Sequence, residues 1–131
     1  MPNQPERDLQ RTCNRYFKDA YPHVRMQAGG AGACYQTPDE NGCFSKIAKR
    51  AGAIRARILK ADGVSNGFPD LFIYHPGAHG RMGLAIELKI GRGRLSEAQE
   101  AWADYLTQCG YDFVVVRTIE QFRAAVDDYL S

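Results

Sequence analysis

The sequence predicts an α/β protein with a mixed central β-sheet flanked by helices. Three observations carry that expectation. Apolar residues recur at helical spacing near both ends of the chain. The segments FPDLFIY and LAIELKI are joined by a short turn-rich loop, as in a hairpin. The run YDFVVVRT is apolar at consecutive positions, as expected of a strand covered on both faces and central in its sheet. At 131 residues the chain fits one domain spanning 1–131, with one sizeable core.

In PERDLQRTCNRYFKDAY (5–21), Leu9, Cys13, Tyr16, Phe17 and Ala20 line one helical face, Pro5 is acceptable near the start, and Glu6 lies in the first turn. VRMQAGGAGACYQTPDENG (24–42) reads as a short strand opening into a Gly-, Pro- and Asn-containing loop. From Ser45 to Asp62 helical spacing returns: Ile47, Ala51, Ile54 and Ile58 form an apolar stripe, opposite Lys46, Lys49, Arg50, Arg57 and Lys60. Gly52 weakens that helix by about 1 kcal/mol relative to Ala and is its natural breaking point.

An Asn-Gly turn then precedes a buried strand at Leu71 to Tyr74, entered through Pro69-Asp70. The loop PGAHGRMG leads antiparallel into LAIELKI (84–90), where Leu84, Ile86, Leu88 and Ile90 share one face and Ala85, Glu87 and Lys89 the other. Ser96 caps a helix from Glu97 to about Cys109, with Ala98, Trp102, Tyr105, Leu106 and Cys109 inward. After the YDFVVVRT strand (111–118), Thr118 caps a last helix carrying Ile119, Phe122, Val126 and Leu130.

No apolar run approaches the roughly 20 residues that span a bilayer, and the polar start MPNQPERDLQ has no secretory apolar core, so a cytoplasmic protein is expected. Cys13, Cys34, Cys43 and Cys109 form no CxxC pair and read as ordinary thiols of a reducing compartment. Net charge is +2, unevenly spread: residues 1–95 hold fifteen Lys/Arg against eight Asp/Glu, while residues 96–131 balance at −5. Such asymmetry favours one basic face for a polyanion, with nucleic acid the first candidate. No acidic residue occurs between Asn41 and Ala61, which strengthens phosphate contact over a merely solvated helix face.

Asp70 stands immediately before one strand, and Glu87 and Lys89 lie two apart on the next. A half-exposed strand with a solvated Glu–Lys pair is the plain explanation. The alternative is chemical: a hairpin register that brings Asp70 and Glu87 together makes two carboxylates repel unless a cation lies between them. Mg²⁺ suits such a pair, because it needs one or two carboxylates and takes water and substrate phosphate elsewhere. Such an ion polarises a phosphoryl oxygen and acidifies a bound water. Lys89 then orients that water or neutralises developing charge.

These segments together, GFPDL, IELK and GRGRLSEAQEAWADYLTQCGYDFVVVRT, closely resemble over residues 63–118 the VRR-NUC domain of the PD-(D/E)XK nuclease superfamily, in the small stand-alone form of phages and bacteria. PD and E-x-K alone are weak motifs; LSxxQ and GYxxxVVR in the same order make them specific. The resemblance implies a restriction-endonuclease-like core and a Mg²⁺- or Mn²⁺-dependent endodeoxyribonuclease in a bacterial or phage-infected cell. It makes Asp70 and Glu87 metal carboxylates with the Leu88 carbonyl beside them, Lys89 the catalytic lysine, and Gln99 the helix glutamine bordering the site. Glu6 resembles the acid of the first helix that assists metal or water, although Asp8 lies close by. It also implies structure-selective cleavage of branched DNA, such as four-way junctions, by a homodimer. Residues 28–45 depart from the pattern, being longer and richer in Gly and Cys.

Plainer roles stand beside these. Ser96 and Gln99 make an S-x-x-Q capping box. GRGR (91–94) lacks the GK[ST] ending of a P-loop, so Arg92 and Arg94 are either exposed turn residues or holders of backbone phosphates. His75 and His79 read as a loop pair and His23 as a lone residue, while Tyr16, Trp102 and Tyr105 read as packing residues. Rival functions are a general or restriction-like DNA nuclease without branch preference and a catalytically silent nucleic-acid-binding module. A metabolic α/β enzyme ranks last, because neither a dinucleotide loop nor a nucleophile elbow is present and no nucleotide cofactor is expected.

Overall fold

A computed structural model describes residues 4–29, 50, 53–54, 57–58, 60–63 and 65–131. Lys46, Ile47, Lys49, Ala51, Gly52, Cys34, Cys43 and most of the 28–45 departure lie outside the described residues. The elements run α1 (Gln4–Ala20), β1 (Met26–Ala28), β2 (Leu71–Ile73), β3 (Leu84–Leu88), α2 (Glu97–Gln108), β4 (Asp112–Val116) and α3 (Ile119–Leu130). Helical backbone also recurs at residues 50, 53–54, 57–58 and 60–61.

The strands form one sheet in the order β1-β2-β3-β4. β1 and β2 are antiparallel, as are β2 and β3, whereas β4 runs parallel to β3, so the sheet is mixed. Parallel pairing of consecutive strands requires a crossover, which α2 supplies. Among the described residues β4 is therefore an edge strand and not the central one expected from its apolar run. Its apolar residues serve two covered faces: Val114 and Val116 join the α1/α3 side, and Phe113 joins the α2 side.

The strand period of two sorts the core. Leu71, Ile73, Leu84, Ile86, Leu88 and Val116 point to one face, where Cys13 and Phe17 of α1 and Phe122, Val126 and Tyr129 of α3 cover them. Burial of the Cys13 thiol pushes its pKa up to about 12, so it acts as a small apolar group. The other face packs Phe72 and Ala85 against Leu106, with Phe68, Trp102, Tyr111 and Phe113 around them. Ala85 leaves room for the rings. Outside the sheet, Tyr16 and Tyr21 both donate to Asp127 of α3, tying α1 to the C-terminal helix.

Several apolar stripes differ from expectation. Ile54 and Ile58 are 44% and 55% exposed, so they do not form the buried stripe that their spacing predicts. In α2 the inward face is centred on Leu106 and Trp102, leaving Tyr105 58% exposed and Cys109 exposed on the flank. Ala20 is exposed, and Ile90 lies past the end of β3 with its side chain largely outside the core. The last helix uses Tyr129, a residue absent from the predicted stripe, as a buried anchor whose hydroxyl donates to the His75 carbonyl at 2.7 Å.

Candidate active site

The β2–β3 register pairs Leu71 with Ile86. One step further along, Asp70 stands opposite Glu87, at the end where β2 begins and β3 ends. Alternation puts both on the α2 side of the sheet, with Phe72 and Ala85. The Asp70 backbone is fixed by its carbonyl, which accepts from the Gly29 N–H at 2.9 Å. Its side chain is fixed by Oδ2, which accepts from the Leu88 N–H at 2.8 Å.

Glu87 is only 2% exposed, which removes the solvated Glu–Lys pair as an explanation. Its Oε1 accepts from Gln99 Nε2 at 2.8 Å, while Oε2 is buried without a hydrogen-bond partner. Desolvation, followed by the charge and close approach of the Asp70 carboxylate, pushes its pKa up to about 9; Lys89 opposes the rise and Glu6 adds to it. Two neighbouring carboxylates, one of them buried with an oxygen that receives no hydrogen bond, form the donor set a hard divalent cation neutralises. The residues fit Mg²⁺ or Mn²⁺.

Lys89 follows the last residue of β3 and is half-buried, its N–H donating to the Val116 carbonyl at 3.0 Å. Its ammonium is close enough to Glu87 to favour the ionised carboxylate. Glu6 comes from α1 on the other side of the sheet and is felt at Glu87 as repulsion. Among the described residues no three His, Cys, Asp or Glu side chains converge as a metal cage, so Glu6 does not complete a three-carboxylate cluster.

The N-terminus of α2 abuts this site because Gly67 lets it. At φ +81°, Gly67 lies so close to the helix that a Cβ would sit 2.5 Å from the Ala98 carbonyl carbon and 2.7 Å from the Gln99 nitrogen. The capping box expected from S-x-x-Q is formed: Ser96 N–H donates to Gln99 Oε1 at 2.8 Å, and Gln99 N–H to Ser96 Oγ at 3.2 Å. Gln99 therefore closes the capping box and contacts Glu87 at once. Spacing alone reveals the cap; contact with Glu87 depends on how α2 crosses the sheet.

Arg92 and Arg94 are exposed in the turn after β3. Arg117, which the sequence did not single out, tethers that turn through Nη1 to the Gly91 carbonyl at 2.9 Å. Arg50, Arg57 and Lys60 are exposed on helical backbone, whereas Lys46 and Lys49 lie outside the described residues. His75 and His79 are exposed loop residues and His23 is exposed as well.

A mixed sheet flanked by helices, with PD at one strand's start and E-x-K at its neighbour's end, is the restriction-endonuclease-like arrangement of a nuclease-type domain. The family model "VRR-NUC domain" matches residues 5–119, and the chain belongs to that family. A solved structure titled "VRR_NUC domain protein" has the same fold, with TM-score 0.64 and 22% identity over 98% of this chain and 90% of that one. No curated protein matches the chain. No helix among the described residues is long and apolar enough to cross a membrane.

Proposed function

We propose that the protein is a Mg²⁺- or Mn²⁺-dependent DNA endonuclease. The observation that carries this reading is buried Glu87 facing half-buried Asp70, with Lys89 beside the pair and Glu87 Oε2 receiving no N–H or O–H. Asp70 and Glu87 would hold the ion, with the Leu88 carbonyl as a backbone ligand. A bound divalent ion supplies charge neutralisation at the scissile phosphate and a more acidic water. Lys89 donates hydrogen bonds to the attacking water or to charge developing on the phosphoryl oxygens. Gln99 holds Glu87 in place, and Glu6 adds negative potential from the first helix.

Arg92 and Arg94 flank the acids and meet backbone phosphates on either side of the cut; Arg50, Arg57 and Lys60, with Lys46 and Lys49 of the same stretch, extend the cationic track. One chain carries one such site, so paired incisions in a branched DNA require a two-fold homodimer. Selectivity for branched DNA such as four-way junctions, and action in the cytoplasm, belong to the same reading.

The test is cleavage of a four-way junction, a flap, single strands and linear duplex by wild type and Asp70→Ala, with Mg²⁺, Mn²⁺ or EDTA. Metal-dependent cutting that disappears in the variant is expected, with the junction preferred. Equal rates on linear duplex would replace branch selectivity with general nucleolysis. Tight binding without cutting under either metal would leave a silent binding module.

A further inference from the structure

Both acids already have one oxygen engaged: Asp70 Oδ2 by the Leu88 N–H, and Glu87 Oε1 by Gln99 Nε2. Oε2 is therefore the unengaged oxygen that Glu87 offers a cation, while Oε1 is available only in competition with the amide. The amide that ties up Oε1 is not free to turn over. Its own Oε1 accepts from the Ser96 N–H at 2.8 Å. Exchanging its ends would set an amide oxygen against the Glu87 carboxylate and an NH₂ against the Ser96 N–H, two mismatched contacts. A helix cap thus dictates which end of Gln99 faces the acid.

We infer that Gln99, oriented by the Ser96 cap, is a positioning residue that confines Glu87 to single-oxygen coordination and thereby selects small octahedral cations over Ca²⁺. The inference rests on the metal-dependent reading above. The physical ground is geometric: the two oxygens of one carboxylate lie too close together to span an octahedral edge. Mg²⁺-like ions demand that geometry, whereas Ca²⁺ accepts six to eight oxygens and readily takes a carboxylate through both. Freeing Glu87 Oε1 removes the obstacle to two-oxygen binding. Ser96 contributes through its backbone N–H, which survives side-chain substitution; its hydroxyl serves the helix.

The experiment is calorimetric titration of wild type, Gln99→Ala, Gln99→Met and Ser96→Ala with Mn²⁺ and separately with Ca²⁺, without DNA, each variant first shown folded by a cooperative thermal transition. In the Gln99 variants the Mn²⁺-to-Ca²⁺ affinity ratio is expected to fall by about tenfold or more, the scale on which groups supporting metal ligands act. Ser96→Ala is expected to melt earlier with its ratio kept within about twofold of wild type. Gln99→Met keeps the length of the side chain without its donor, so it reports if Gln99→Ala fails to fold. A ratio unchanged in the Gln99 variants, with wild type still binding Mn²⁺, overturns this inference and leaves the metal reading standing. Wild type that binds neither ion overturns both.

Discussion

Glu87 holds a proton more tightly in the folded chain than in the unfolded one, because burial and then Asp70 disfavour its charge. The folded state therefore binds the extra proton, and stability of the metal-free protein falls as pH rises from about 4.5 to about 9. Glu87→Gln removes the charge and keeps an acceptor for Gln99. Thermal melts of the metal-free protein should show the variant flatter with pH and more stable than wild type at pH 8, where the folded chain still holds the Glu87 proton that the unfolded chain has released. A variant less stable at pH 8 would mean that the ionised carboxylate is well solvated or paired. At this scale the sequence was informative about identity and silent about environment. The two-residue spacing puts Glu87 and Lys89 on one face, yet a solvated pair and a buried acid have the same spacing. Only the covering helix α2 distinguishes them.

At the scale of elements, Gly67 sets the distance between the approach to β2 and the start of α2. Gly67→Ala meets the helix backbone and a positive φ together, and is expected to cost about 2–4 kcal/mol. Because the displaced segment carries Gln99, cleavage should fall further than the loss of folded protein explains, measured as rate per folded molecule. Thr118→Ala makes a contrasting case. It removes the Oγ that accepts the Gln121 N–H at 3.1 Å, should cost about 1 kcal/mol, and should leave cleavage unchanged. The hairpin that faces Asp70 with Glu87 was readable from turn chemistry and alternation, and both N-caps from Ser and Thr ahead of helical spacing. The position of β4 in the sheet is not legible in its sequence, because a run apolar at every position reports two covered faces, which an edge strand between helices also has. Tyr105 lies outside the core because three-residue spacing from Trp102 drifts around the helix. Its ring meets Trp102 edge-on at 5.9 Å while remaining outside the core.

For the whole molecule, charge is divided along the chain: the cationic excess precedes residue 96 and the acidic excess follows it. If Arg50, Arg57 and Lys60 contact phosphates, replacing all three by Glu weakens DNA binding. It also makes the dependence of log affinity on log salt shallower by about 0.9 for each phosphate no longer neutralised. Unchanged affinity would turn that basic stretch away from DNA. The acidic excess includes Asp127 and Asp128 of α3, a helix that carries none of the candidate site residues. Yet α3 buries Phe122, Val126 and Tyr129 beneath the sheet, and Asp127 accepts from Tyr16 of α1 and from Tyr21 just beyond it. The family match ends at residue 119, where this helix begins. A fragment trimmed to that match would carry every candidate catalytic residue and lack one wall of its core. Losing a buried Phe costs about 3–5 kcal/mol by itself, a large share of the roughly 5–15 kcal/mol that holds a domain together. The stretch recognisable as a nuclease is therefore shorter than the stretch that can be transplanted as one, and a fusion or truncation drawn at residue 119 should yield an unfolded chain.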